Sequence, residues 1–81
     1  MIMNDKWGKP FNTKTATVGK LKAMLTYIEG VIYRDHKQEE IADLISLLPD
    51  EYGIIVEELA MRKVKPYIAF HWVITLRYKN K

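Results

Sequence analysis

The stretch from Asp35 to Val64 limits this chain more than any other part of it. Apolar residues recur there at helical spacing on both sides of Pro49. Ile41, Leu44, Ile45 and Leu48 precede the proline; Ile55, Val56, Leu59, Ala60 and Val64 follow it. Pro49 has no N–H and its ring clashes with the preceding turn, so one unbroken helix cannot cover the stretch. The pattern therefore predicts a helix over 36–48, a turn at Leu48-Pro49-Asp50, and a second helix over 50–64. Asp35 followed by Gln38 has capping-box spacing, and Asp50 is the expected second N-cap. Glu51 then stands at the positive end of the second helix dipole, and Arg62, Lys63 and Lys65 at the negative end.

A helix, a short turn and a second helix resembles the outline of a helix-turn-helix. Ile41, Ile45, Leu47, Tyr52 and Ile55 are apolar where such a pair meets, Ala42 is small near the closest approach, and Ser46 stands where many such motifs carry Gly. A plain helical hairpin is the other reading of the same residues.

Before this pair, Val18, Leu21, Leu25, Ile28 and Ile32 form an apolar stripe over a helix spanning 17–34, widened by Met24 and Val31. Gly30 in its interior invites a close helix crossing. Residues 1–14 read as an irregular basic arm carrying Lys6, Lys9 and Lys14, with a possible short strand at Ile2-Met3 and with Trp7 and Phe11 docking on the core. After Pro66, Tyr67 to Tyr78 is β-branched and aromatic and alternates in period two, which predicts a strand over 67–78. Its partner would be the N-terminal segment or the same strand of a second copy. Lys79-Asn80-Lys81 reads as a frayed tail.

The expected fold is thus α+β: three helices, two of them a hairpin or helix-turn-helix-like pair packed on an N-terminal amphipathic helix, with a C-terminal strand or ribbon. With 81 residues, one domain is expected, and so small a core makes a homodimer the expected assembly. The chain has no cysteine, which removes disulfides and thiol chemistry and fits a cytoplasmic setting. Its longest apolar run is too short to span a bilayer.

Net charge is +3, but unevenly spread. Residues 1–22 hold five lysines against Asp5; residues 37–61 hold seven acids against Lys37; residues 62–81 hold six cations and no acid. Basic ends can meet nucleic-acid phosphates, or they can neutralise the acidic middle within the fold or across a dimer.

No Gly-rich phosphate loop, HExxH, GxSxG or EF-hand loop is present. His36 and His71 read as ordinary solvated histidines, and Glu39-Glu40 and Glu57-Glu58 diverge around their helices. No enzyme activity, metal or cofactor is expected. The leading expectation is a small regulatory protein that binds double-stranded DNA on a helix-turn-helix or winged-helix scaffold. The residues expected at the phosphates are Lys14, Lys20, Lys22, Arg62, Lys63, Lys65, Arg77 and Lys79. The would-be recognition helix begins with Asp50 and Glu51 and continues with Glu57 and Glu58, which repel phosphate, so it serves as scaffold. The alternative is a protein–protein interaction module, such as an inhibitor, antitoxin-like or assembly accessory factor, that uses its acidic helical face. One continuous basic face would favour nucleic acid, and scattered patches a protein partner.

Overall fold

Thr17 opens the longest helix. Its backbone is extended, and its Oγ1 accepts the Lys20 N–H at 3.1 Å, which starts α1 (Val18–Asp35). The computed structural model describes residues 1–79. Its elements are β1 (Ile2–Asn4), β2 (Pro10–Asn12), α1, α2 (Ile41–Ser46), α3 (Asp50–Met61) and α4 (His71–Lys79). The fold is α+β, with four helices and a two-strand antiparallel ribbon instead of three helices and a C-terminal strand. Of the expected frayed tail, Lys79 is instead the last residue of α4, and Asn80 and Lys81 lie outside the described residues.

The first 14 residues are a hairpin, not an irregular arm. Met3 pairs with Phe11 between the Ile2–Asn12 and Asn4–Pro10 pairs. Asp5 builds the connection: its Oδ1 accepts the backbone N–H groups of Trp7 and Lys9, each at 2.9 Å, and Gly8 supplies the left-handed backbone (φ 78°). Met3 is buried and Phe11 packs against the core, whereas Trp7 is 71% exposed and stands outside it.

The main core joins Met3 to Leu21, Met24 and Leu25 of α1 and to Tyr52, Ile55 and Leu59 of α3. The stripe read in 17–34 is the buried face of α1. Tyr52, at the start of α3, bonds Glu29 in the C-terminal half of α1, and Arg62, at the end of α3, bonds the carbonyls just before α1. The two helices therefore run antiparallel. Gly30 mediates no close crossing, because a Cβ there would meet nothing within 4 Å. A second, smaller core gathers Leu44 of α2 with Phe70 and Val73, against Ile32 and Tyr33 of α1.

The first helix of the central pair is shorter than 36–48. Asp35 does not cap it, because α1 continues through Asp35 and His36 terminates α1, its N–H bonding the Tyr33 carbonyl. His36 and Glu39 then close a turn, with Nδ1 and Oε1 3.1 Å apart. α2 begins only after Glu40, which makes no side-chain cap bond. The turn before α3 is Leu47-Leu48-Pro49, with Pro49 at the N-cap and Asp50 and Glu51 in the first turn.

α3 stops at Met61 rather than at 64. The Lys63 N–H bonds Ala60 O, the Val64 N–H bonds Leu59 O, and Lys63 is left-handed at φ 60°. This is a Schellman ending with a lysine where glycine is favoured. Lys63→Gly should therefore raise stability by about 1 kcal/mol, read as a higher urea midpoint at unchanged slope.

The strand expected over 67–78 is instead a loop followed by α4. Phe70 takes a left-handed conformation (φ 57°), which breaks any extended run at its middle. Among the described residues the sheet consists of β1 and β2, and this segment pairs with neither. A helix satisfies its own backbone, and Phe70, Val73 and Arg77 fall at helical spacing facing inward. Arg77 and Lys79 lie in its last turn, where the dipole suits them.

Candidate functional site

Two side chains knit the elements together. Glu29 is wholly buried on α1. Its Oε2 accepts the Tyr52 hydroxyl at 3.0 Å and the Tyr67 hydroxyl, and its Oε1 accepts the Phe70 N–H. Burial pushes the Glu29 carboxyl above the usual carboxylate range, and the three donors and the neighbouring His71 pull it only partway back. Burial, and then the Glu29 carboxylate, push Tyr67 up to about 12; Tyr52 is pushed up as well. With no exposed surface, this carboxylate faces no ligand. It fastens α3 and the segment entering α4 onto α1.

Arg62 is the second. Its Nε pairs with Glu58 at 2.9 Å, and its other nitrogens donate to Ala16 O at 2.6 Å, Lys14 O at 2.9 Å and Thr13 O at 3.0 Å. It was expected at a phosphate, but its donors are spent on the loop before α1. In consequence Lys14 lies beside the end of α3, from which Lys63 and Lys65 project.

The eight expected cations do not form the one continuous face that would favour nucleic acid; they split between two places. Lys14, Lys63 and Lys65 are exposed at the end where α1 begins and α3 ends, and Lys22 is exposed in the second turn of α1. Lys20 is at the same end but is paired with Asp5 at 2.8 Å, and this cation and two backbone donors hold Asp5 at about 2. Arg77 lies elsewhere: it donates to Lys37 O and Glu39 O, and its guanidinium lies 5.9 Å from the Tyr33 ring. Lys79 is exposed on the same last turn of α4. The molecule therefore has a basic end and, around α2 and the start of α3, an acidic end with Glu39, Glu40, Asp43, Asp50 and Glu51 exposed.

Two features escaped the sequence reading. Glu29 falls four residues after Leu25 on the apolar stripe, and a charge on a buried stripe is itself a signal. Trp7 borders a groove of ≈ 430 Å³ between the hairpin tip and α1, and its signal was an aromatic within a turn sequence. Among the described residues no His, Cys, Asp and Glu cluster could hold a metal ion, and no helix is long and apolar enough to cross a membrane. No known protein family, characterised protein or solved structure matches this chain, so its own surface carries the functional argument.

Proposed function

We propose that this is a small non-enzymatic protein that binds nucleic acid through its basic end. One observation carries the reading: Lys14, Lys63 and Lys65 are exposed where α1 begins and α3 ends, with Lys22 exposed in the second turn of α1 and Lys6 and Lys9 at the hairpin tip, while the acids Asp5 and Glu58 are each paired with a cation of the chain. The Thr17-capped start of α1 has no acid in its first turn and adds its own positive potential. The acidic exposed side of α3 (Asp50, Glu51 and Glu57) keeps that helix out of a groove. The contact is with the phosphate backbone, with little base readout from α3.

The test is a titration of labelled duplex and single-stranded DNA at low and physiological salt. Affinity should fall steeply as salt rises, and Lys14→Ala, Lys63→Ala and Lys65→Ala combined should reduce the salt slope by about 2 to 3. Arg77→Ala with Lys79→Ala should leave the slope unchanged. Absence of binding at low salt would sink the reading.

A second reading has its own support. Ile45 and Leu47 are 43% and 44% exposed at the α2–α3 turn, amid Asp43, Asp50 and Glu51. An apolar pair ringed by acids suits a basic protein partner. Ile45→Lys with Leu47→Lys should abolish such a contact and leave DNA binding intact.

A further inference from the structure

We infer that the groove beside Trp7 is a stacking site for an unpaired base of single-stranded nucleic acid. The inference rests on the basic end being a polyanion surface, and it names the form of polyanion. The groove is lined by Asp5, Lys6, Trp7 and, from α1, Lys20, Ala23, Met24, Thr26 and Tyr27. Trp7 is 71% exposed and Tyr27 42%, so two aromatic surfaces border one depression on the molecule.

An indole this exposed on a loose loop would say little, but this loop is built. The Asp5 carboxylate holds the N–H groups of Trp7 and Lys9, the Gly8 N–H bonds Asp5 O at 2.9 Å, and Lys20 ties Asp5 to α1 at 2.8 Å. The backbone of Trp7 is thereby held in place, which lowers the entropy lost when a ring stacks on its side chain. Lys6 Nζ sits 4.4 Å from the indole centroid, on one side of the ring.

The charge around the groove selects the occupant. Its one acid, Asp5, is already paired with Lys20, and Lys6 and the adjacent Lys9 are left to meet phosphate. An aromatic platform flanked by lysines is the arrangement that holds single strands: base rings stack on the aromatics while cations follow the backbone. A paired duplex keeps its base faces stacked on each other and cannot offer one. A neutral sugar would stack on the same rings but gain nothing from the lysines.

The experiment uses the full chain with Trp72→Phe, so that Trp7 is the sole tryptophan and can be excited selectively over the tyrosines, and an oligothymidylate of about ten nucleotides as the probe. Trp7 emission should be quenched on binding. Trp7→Ala and Tyr27→Ala, both at exposed positions and each checked for an unchanged circular dichroism melt, should each weaken single-strand affinity about tenfold. Trp7→Phe should recover most of that loss, and duplex affinity should stay within about twofold throughout. If Trp7→Ala leaves single-strand affinity unchanged while the lysine variants reduce it, the groove assignment is overturned and the basic end stands. If neither strand form binds at low salt, both fall together. Quenching by a neutral oligosaccharide with none by the oligonucleotide would also overturn the assignment.

Discussion

Glu29→Ala should leave the protein about 3 to 5 kcal/mol less stable, most of what a chain this small is expected to have. Three donors converge on that carboxylate from three places in the fold: Tyr52 of α3, Tyr67 of the loop, and the backbone of Phe70. Removing it orphans all of them in an interior where water does not reach, and leaves a void beside Leu25 and Phe70, both fully buried. Glu29→Gln keeps one acceptor but puts an NH2 where an oxygen accepted, so at least one of the three donors must turn or go unpaired, and it should cost about 2 kcal/mol. Glu29→Leu fills the space and satisfies nothing, so it should resemble Ala more than Gln. Urea midpoints of the three variants give the ranking. A Leu variant as stable as the Gln variant would show that volume, not hydrogen bonding, is what Glu29 supplies.

The same carboxylate sets a pH dependence of definite sign. Its folded pKa is raised above the ordinary 4.5, so the folded state takes up its proton more readily than the unfolded chain. Its contribution to stability is complete below about pH 4.5 and declines as pH rises through the raised folded pKa. Asp5 runs the opposite way: held at about 2 by Lys20, it contributes above its ordinary 3.8 and loses that contribution as pH falls towards 2. The difference in urea midpoint between the wild-type protein and Glu29→Gln isolates the first effect. That difference should shrink as pH rises from about 4.5, and a difference constant with pH would show that Glu29 titrates alike in both states.

What was legible in the sequence follows from which signals are local. The stripe of α1 and the break at Pro49 depend on residues within a turn or two of one another, and both are present, whereas the cations expected in the last turn of the second helix follow it instead, because α3 stops at Met61. Tyr67 to Tyr78 carried two periods at once. Alternation put Ile68, Phe70, Trp72 and Ile74 on one strand face, while Phe70, Val73 and Arg77 formed a helical stripe. Propensity favoured the strand, but Phe70 is left-handed and breaks an extended run, and burying Phe70 and Val73 together suits the helical spacing. The Asp35–Gln38 capping pattern failed for a similar reason: α1 kept enough inward-facing residues to run through Asp35, and the turn that followed is held by Arg77 from a distant segment. Charge was legible as a total but not as a surface. Lysine and arginine look alike in a count, yet the two arginines among the expected contacts both serve internal carbonyls, and the exposed lysines remain for solvent or a partner. A planar guanidinium can bond several carbonyls at once, and an ammonium on a flexible stem does so less well.

Arg62→Ala should cost about 2 to 4 kcal/mol, somewhat less than a fully buried network because a quarter of its side chain meets water. Glu58→Gln removes only the ion pair and should cost less than about 1 kcal/mol, since the bonds to Thr13, Lys14 and Ala16 survive it. If the two variants were equally destabilised, the pair with Glu58 would be the main contribution and the carbonyl clamp a bystander. Arg62→Lys is the more informative change. It keeps the net charge, but its ammonium cannot span three carbonyls, so the loop ahead of α1 should exchange its amide hydrogens faster while α1 and α3 stay protected. That loop carries Lys14, and α3 ends at Lys63, so loosening the clamp spreads the basic end without removing a charge from it. Nucleic-acid affinity should therefore fall in Arg62→Lys with the salt slope nearly unchanged. The lysine-to-alanine variants, by contrast, should lower affinity and slope together. An affinity equal to wild type would mean that the lysines act as a diffuse field, indifferent to where Arg62 holds them.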